Sequence, residues 1–187
     1  QPPLPVSYPL IMTLVTVPVT ILLAALMGAI AWIRAAWKAG GELSSTAWLM
    51  SINIVFPIAL ISMPETPIFG GVKHWMTAAP FIAIVAAGGI VWAARRIAMN
   101  RRRAVVTAIV AAIALSPALW ATRLIHPFGT SYYNELVGGV RGAADLELMR
   151  QFWGYTSRQA LGWLNENAPQ NARVWTHNTT GYAWNMY

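Results

Sequence analysis

The sequence predicts an all-α membrane bundle of about four transmembrane helices, followed by a short α/β tail outside the membrane. Three observations predict it. The 187 residues are 57% hydrophobic and only 10% charged, where ordinary soluble domains carry roughly 25% charged residues. Residues 75–94 and 104–125 are apolar runs of about 20 residues each, long enough to cross a bilayer at 1.5 Å per residue. Between them stand Arg95, Arg96, Arg101, Arg102 and Arg103, the clustered charge of a cytoplasmic loop under the positive-inside bias.

The net charge of +7 suggests a polyanion-binding surface until it is located along the chain. The two gaps assigned to the inside hold Arg34, Lys38, Arg95, Arg96, Arg101, Arg102 and Arg103 against the single acid Glu42. Elsewhere the charges nearly cancel, so the basicity is a topology signal and argues against a nucleic-acid partner. Membrane lipid is the expected partner, with anionic head groups able to meet the arginine loop. With no cysteine in the chain, disulfides and thiolate metal sites drop out of consideration.

Each element follows from local chemistry. Pro2, Pro3 and Pro5 make an extended lead-in. The first helix is expected at about 9–33, kinked at Pro18, with the small-residue pairs Ala24/Gly28 and Ala25/Ala29 allowing close helix approach. An inner loop is expected at 34–45, broken by Gly40-Gly41. The second helix, about 46–63, carries Asn53, read as a hydrogen bond to a neighbouring helix. An outer turn with Pro64, Pro67, Gly70 and Gly71 leads to the third helix at about 75–94, and the fourth spans about 104–125. Tryptophans cluster at the expected ends: Trp32, Trp37, Trp48 and Trp92 at the inner level, Trp75 and Trp120 at the outer. This is an aromatic-belt pattern, and four crossings place both ends of the segment on the outer face.

From His126 the composition becomes that of a soluble segment. Helices are expected at 146–152 and 157–167, the latter capped by Thr156 or Ser157 and stopped by Pro169. A strand is expected at 172–176 and a further helix from 181. The tail, 126–187, is too short to complete an α/β core alone, and the chain as a whole is expected to be a piece of a longer polypeptide.

The apolar runs contain no acidic or basic side chain before Arg123, which argues against a carrier or a proton relay. Candidate chemistry therefore lies at the outer ends. Lys73 and His74, beside a Gly-Gly turn, either pair with the phosphate of a lipid-linked substrate or serve only as a snorkelling lysine and an interface cap. The stretch from His126 to Gly139 contains Tyr133, Asn134 and Glu135: an aromatic platform, an amide and a carboxylate suited to sugar or acceptor contact. The other reading of that stretch is a structural turn closing the fourth helix. No zinc-protease, nucleophile-elbow or phosphate-loop motif occurs, and neither a metal site nor a cofactor is expected.

Ser7-Tyr8-Pro9-Leu10, the stretch PETPIFGGVKHWMTAAP at 64–80, and HPFGTSYYNELVGGVRGAA followed by RQFWGY together resemble the C-terminal half of bacterial family-39 glycosyltransferases. These are GT-C membrane enzymes similar to the protein mannosyltransferases and the lipid A aminoarabinose transferases. The resemblance implies inverting transfer of a sugar from a polyprenyl-phosphate carrier to a glycan, lipid or protein acceptor at the outer face of a bacterial inner membrane. Such enzymes carry their catalytic acids in a first outer loop that no part of this sequence matches, so no catalytic residue is assigned. Lys73 and His74 match a position where the family places a basic residue with a histidine or aromatic, which favours the carrier-phosphate role. The competing expectation is a non-catalytic membrane subunit or anchor whose outer tail binds a partner.

Overall fold

The computed structural model describes residues 5–39, 41–66, 71–98, 102–148 and 157–174. Their regular structure is helical throughout. It comprises α1 (Tyr8–Thr16), α2 (Val19–Ala39), α3 (Gly41–Ile61), a 3-10 segment (Val72–Ala78) running into α4 (Ala79–Ile97), and α5 (Arg103–Ile125). Short turns at Gly129–Ser131 and Glu135–Val137 follow, then α6 (Gly139–Asp145) and α7 (Ser157–Asn167).

Three stretches, Val19–Lys38, Val72–Ile97 and Arg103–Ile125, are long and apolar enough to cross a membrane. The apolar part of α3, Ser45–Ile61, is shorter, so length and composition support three of the four expected crossings. No residue of α5 is buried, and Val105, Ile113 and Leu119 on it are exposed. An apolar surface of that kind suits lipid rather than water. Lys38 ends α2 and Arg95 and Arg96 end α4, while Arg103 opens α5. One end of the bundle is therefore basic, and there the Arg96 guanidinium lies 5.1 Å from the Trp92 ring centroid.

Several boundaries differ from expectation for identifiable reasons. The helix expected at 9–33 is two helices, because Pro18 breaks it outright. The inner loop expected at 34–45 is largely helix: α2 continues through good helix formers to Ala39, and α3 begins at Gly41. The third helix begins as a 3-10 segment in which Trp75 leaves helical geometry at φ −124°, ψ 19°. Pro80 then sits in the first turn of α4, where its missing amide costs nothing. Among the described residues Asn53 bonds within its own helix, its Nδ2 donating to Leu49 O one turn back. Trp75 is only 3% exposed and is a core residue, not a belt residue.

The tail is corrected as well. Its first helix is α6, ahead of the expected 146–152, because Gly138 at φ 73° turns the chain into a helix at Gly139. Glu147 at φ 57° lies just past its end, and 149–152 lie outside the described residues. The second helix, α7, has the expected bounds, while Thr156 is not among the described residues. Ala172, Arg173 and Val174 carry no strand, consistent with a strand's need for a partner to pair with. Residues 175–187, with the rest of the expected strand and the last expected helix, lie outside the described part. The described tail is thus helical, not α/β.

Two clusters hold the fold. Ala24, Ala86 and Ile90 form one at the α2–α4 contact, with Val110, Ala111 and Ala114 of α5 packed on it. There the Ala24/Gly28 pair meets Val85/Gly89 so closely that a Cβ at Gly28 would lie 1.9 Å from Val85 O, and one at Gly89 1.9 Å from Ala24 O. Thr20 Oγ1 adds a bond to Ala114 O at 2.7 Å. The other cluster, of Met12, Val15, Trp75, Tyr133 and Ala143, joins α1, the 3-10 segment and the tail at the end away from the arginines.

Candidate functional site

The site begins with the defect at Pro18. Proline has no N–H, so the Leu14 carbonyl four residues earlier cannot bond along the helix, and the chain turns extended at Val17, φ −92°, ψ 134°. Open carbonyls in an apolar setting are costly and must be met by other groups. Asn134 meets three of them. Its backbone N–H donates to Val15 O at 2.8 Å, and its Nδ2 donates to Leu14 O at 2.7 Å and Val17 O at 2.6 Å. Its Oδ1 accepts from the Leu136 N–H at 3.0 Å. At 1% exposure, Asn134 is a plug that fixes the tail to the break.

Around this joint the walls are apolar and aromatic. Trp75 Nε1 donates to Thr13 Oγ1 at 2.8 Å, and Thr13 Oγ1 donates to Pro9 O at 2.8 Å. Tyr8 packs edge-on against Trp75, centroids 6.0 Å apart, and its hydroxyl accepts from the Gly71 N–H at 2.9 Å. A cavity of about 250 Å³ opens here, between the end of α1, the face of Val72, Trp75 and Met76, the start of α4 at Ala79 and Ile82, and the loop from Gly129 to Tyr133. A second, of about 410 Å³, lies towards Pro18, Thr122 and His126 and shares Gly129 and Tyr132 with the first. A third, of about 430 Å³, runs along the end of α5 past Trp120 to Glu135 and again includes Tyr132.

The expected site residues are not all brought together. Tyr133 is buried in the cluster and lines the first cavity and, with Asn134 and Glu135, the third; burial, and secondarily Tyr8, pushes its phenol up to about 12. Asn134 has both amide hydrogens committed to Leu14 O and Val17 O, which leaves no donor for a sugar. Glu135 is exposed and lines the third cavity. Lys73 is exposed and His74 half-buried, and neither lines the first cavity. At three residues per turn, Val72 and Trp75 share the inward face of the 3-10 segment and the two residues between them point elsewhere.

The sequence places Tyr132 in the His126–Gly139 stretch without singling it out. It lines all three cavities, and its hydroxyl is buried without a hydrogen-bond partner among the described residues. Burial first, then the Glu135 carboxylate, raises its pKa above the usual phenol value. Nothing in the Tyr132-Tyr133 dipeptide tells which ring enters the core. Among the described residues no group of three or more histidine, aspartate or glutamate side chains is placed to hold a metal ion.

No family model, curated protein or solved structure matches the chain, so the resemblance to the family-39 enzymes rests on the residues quoted for it.

Proposed function

We propose that the chain forms the carrier-facing part of an integral-membrane glycosyltransferase that moves a sugar from a polyprenyl-phosphate carrier to a glycan, lipid or protein acceptor at the outer face. The observation that supports this reading is convergence. The three stretches that carry the resemblance are far apart in sequence, yet Tyr8, Trp75 and Tyr133, one from each, meet in a single cluster beside the first cavity. The cavity lies between the end of α1, the 3-10 segment with the start of α4, and the loop from Gly129 to Tyr133, opposite the arginines, with largely apolar walls fit for an isoprenoid and no cation among its lining residues. In this reading α3 makes a fourth crossing. The carrier phosphate stays at the mouth, where exposed Lys73, adjacent to lining residue Val72, supplies charge.

Lys73→Met, which keeps the apolar stem, is expected to raise the carrier KM of the complete enzyme by about 10- to 100-fold, the size of one hydrogen bond to a charged group. Lys73→Arg is expected to retain most of the function. Unchanged KM and kcat in Lys73→Met would reduce Lys73 to an interface anchor. The wider test is photolabelling of the complete protein in membranes with a diazirine-bearing polyprenyl phosphate. The expected label falls on Val72–Ile82 and Gly129–Tyr133 and is displaced by unlabelled carrier but not by phosphatidylglycerol. Labelling spread over α5 and indifferent to competitor would contradict the reading.

A further inference from the structure

The basic end of the bundle carries a cleft of its own. Its volume is about 320 Å³, and it lies between α2 and α3, lined by Ile33, Ala36 and Trp37 from one and by Ala47, Trp48 and Ser51 from the other. Residues three and four apart are neighbours on a helix, so each trio forms one face. Trp37 is 85% and Trp48 67% exposed, and two large indoles therefore stand open at the cleft. The span Val19–Lys38 has 20 residues, about 30 Å of helix and the thickness of the hydrocarbon core. Its last turn, and with it Trp37, falls at the head-group level, where an indole's apolar body and polar N–H suit the boundary.

The wall is mostly apolar, and its one side-chain hydroxyl, Ser51 Oγ, is engaged with Ala47 O at 2.8 Å. Charge stands beside the cleft. Arg34 and Lys38 are exposed, and helix spacing makes Arg34 the neighbour of both Trp37 and Lys38. Glu42 is the only acid between Arg34 and Met63. A soluble anion has no use for the indoles, and an uncharged acyl chain has none for the cations; an amphiphile with an anionic head uses both. We propose that this cleft holds one anionic phospholipid of the leaflet on the basic side, its acyl chain against Ile33, Trp37 and Trp48 and its phosphate paired with Arg34 and Lys38. In a zwitterionic lipid the ammonium offsets the phosphate, so the two cations favour a head group of net negative charge. The site lies at the other end of the bundle from the carrier cavity and does not rest on the glycosyltransferase reading.

The test uses the full chain in phosphatidylcholine nanodiscs that contain a small fraction of phosphatidylglycerol bearing a diazirine on its acyl chain. Label is expected on residues 33–51, displaced by unlabelled phosphatidylglycerol and not by added phosphatidylcholine. Each cation near an anionic lipid surface is worth about a 5-fold change in affinity. Arg34→Gln and Lys38→Gln are each expected to weaken the apparent affinity by about that factor, and the double variant by their product. Arg34→Lys/Lys38→Arg, which keeps both charges, is expected to retain most of the label. Arg102→Gln/Arg103→Gln removes as much charge from the start of α5 and is expected to leave labelling of 33–51 nearly unchanged. All four side chains are exposed, so the melting temperatures are expected to hold. An equal loss in the two glutamine double variants would show a diffuse basic surface and overturn the site. Equal labelling of 33–51 by a diazirine-bearing phosphatidylcholine would also overturn it, as the mark of annular lipid only.

Discussion

Gly89→Val is expected to separate α2 from α4 and to destabilise the bundle by about 3 kcal/mol, the upper range for overpacking a tight contact. Even the first carbon of a side chain at Gly89 would stand 1.9 Å from Ala24 O, and one at Gly28 equally close to Val85 O. Both obstacles are backbone atoms, which no rotamer change can move aside. In lipid the hydrophobic effect does not hold helices together, so association depends on dispersion and weak C–H···O contacts that require close backbones. Pushing the helices apart weakens those contacts along the whole seam. The double variant Gly28→Ala/Gly89→Ala should cost clearly less than the sum of its singles, because one separation relieves both clashes. Denaturation in detergent, followed by tryptophan fluorescence, reads both quantities. Additive or negligible losses would show that α2 and α4 do not meet at this seam.

Asn134→Ala is expected to cost about 3–5 kcal/mol, since it strips partners from the Leu14 and Val17 carbonyls and from the Leu136 amide, with buried unmet groups worth roughly 1–3 kcal/mol each. The side chain is 1% exposed, so water has little access to replace it. Asn134→Asp should be worse at neutral pH, because a carboxylate would face two carbonyl oxygens. Burial and that repulsion would raise its pKa, so the folded state would bind a proton more readily than the unfolded state. Stability of that variant should therefore rise as pH falls, opposite to the trend of a paired carboxylate. Pro18→Ala offers an independent check, because it restores an N–H that Leu14 O can use. Placed in the Asn134→Ala background, it should recover at least about 1 kcal/mol, one ordinary hydrogen bond. A thermodynamic cycle showing no coupling between positions 18 and 134 would contradict the plug.

These two contacts also show what was legible in the sequence. The small residues of α2 announce a close approach, but only the structure names Val85 and Gly89 as the other side of the seam. Pro18 is visible as a helix disruption. A kink was the local expectation because bundles repair such defects with neighbouring groups, yet the repairing group is 120 positions away from Leu14 and leaves the helix broken. For the same reason Asn134 reads as a sugar ligand in sequence and as a structural plug in the fold: residue type shows what an amide can donate, not what already accepts it. The bounds of α5 and α7 were readable because local signals fix them, a long apolar run for one and a proline stop for the other. The expected strand does not appear at 172–174, the part of it that is described, because a strand depends on a non-local partner. Tyr132 and Tyr133 are indistinguishable by type, and only packing of the tail against α1 puts Tyr133 in the buried cluster and leaves Tyr132 half-exposed.

The proposed function places the basic end of the bundle inside the cell and the aromatic cavity end outside. That placement is tested most directly by single cysteines in a chain that has none of its own. Glu65 and Gly129 serve for the cavity end, since Glu65 is exposed and a side chain at Gly129 meets nothing within 4 Å. Asn100, in the arginine-rich gap, serves for the other. With a membrane-impermeant thiol reagent on intact cells, labelling is expected at Glu65→Cys and Gly129→Cys, and at Asn100→Cys only after lysis. Labelling of Asn100→Cys before lysis, with Gly129→Cys protected, would contradict the orientation and with it the placement of the cavity on the outer face.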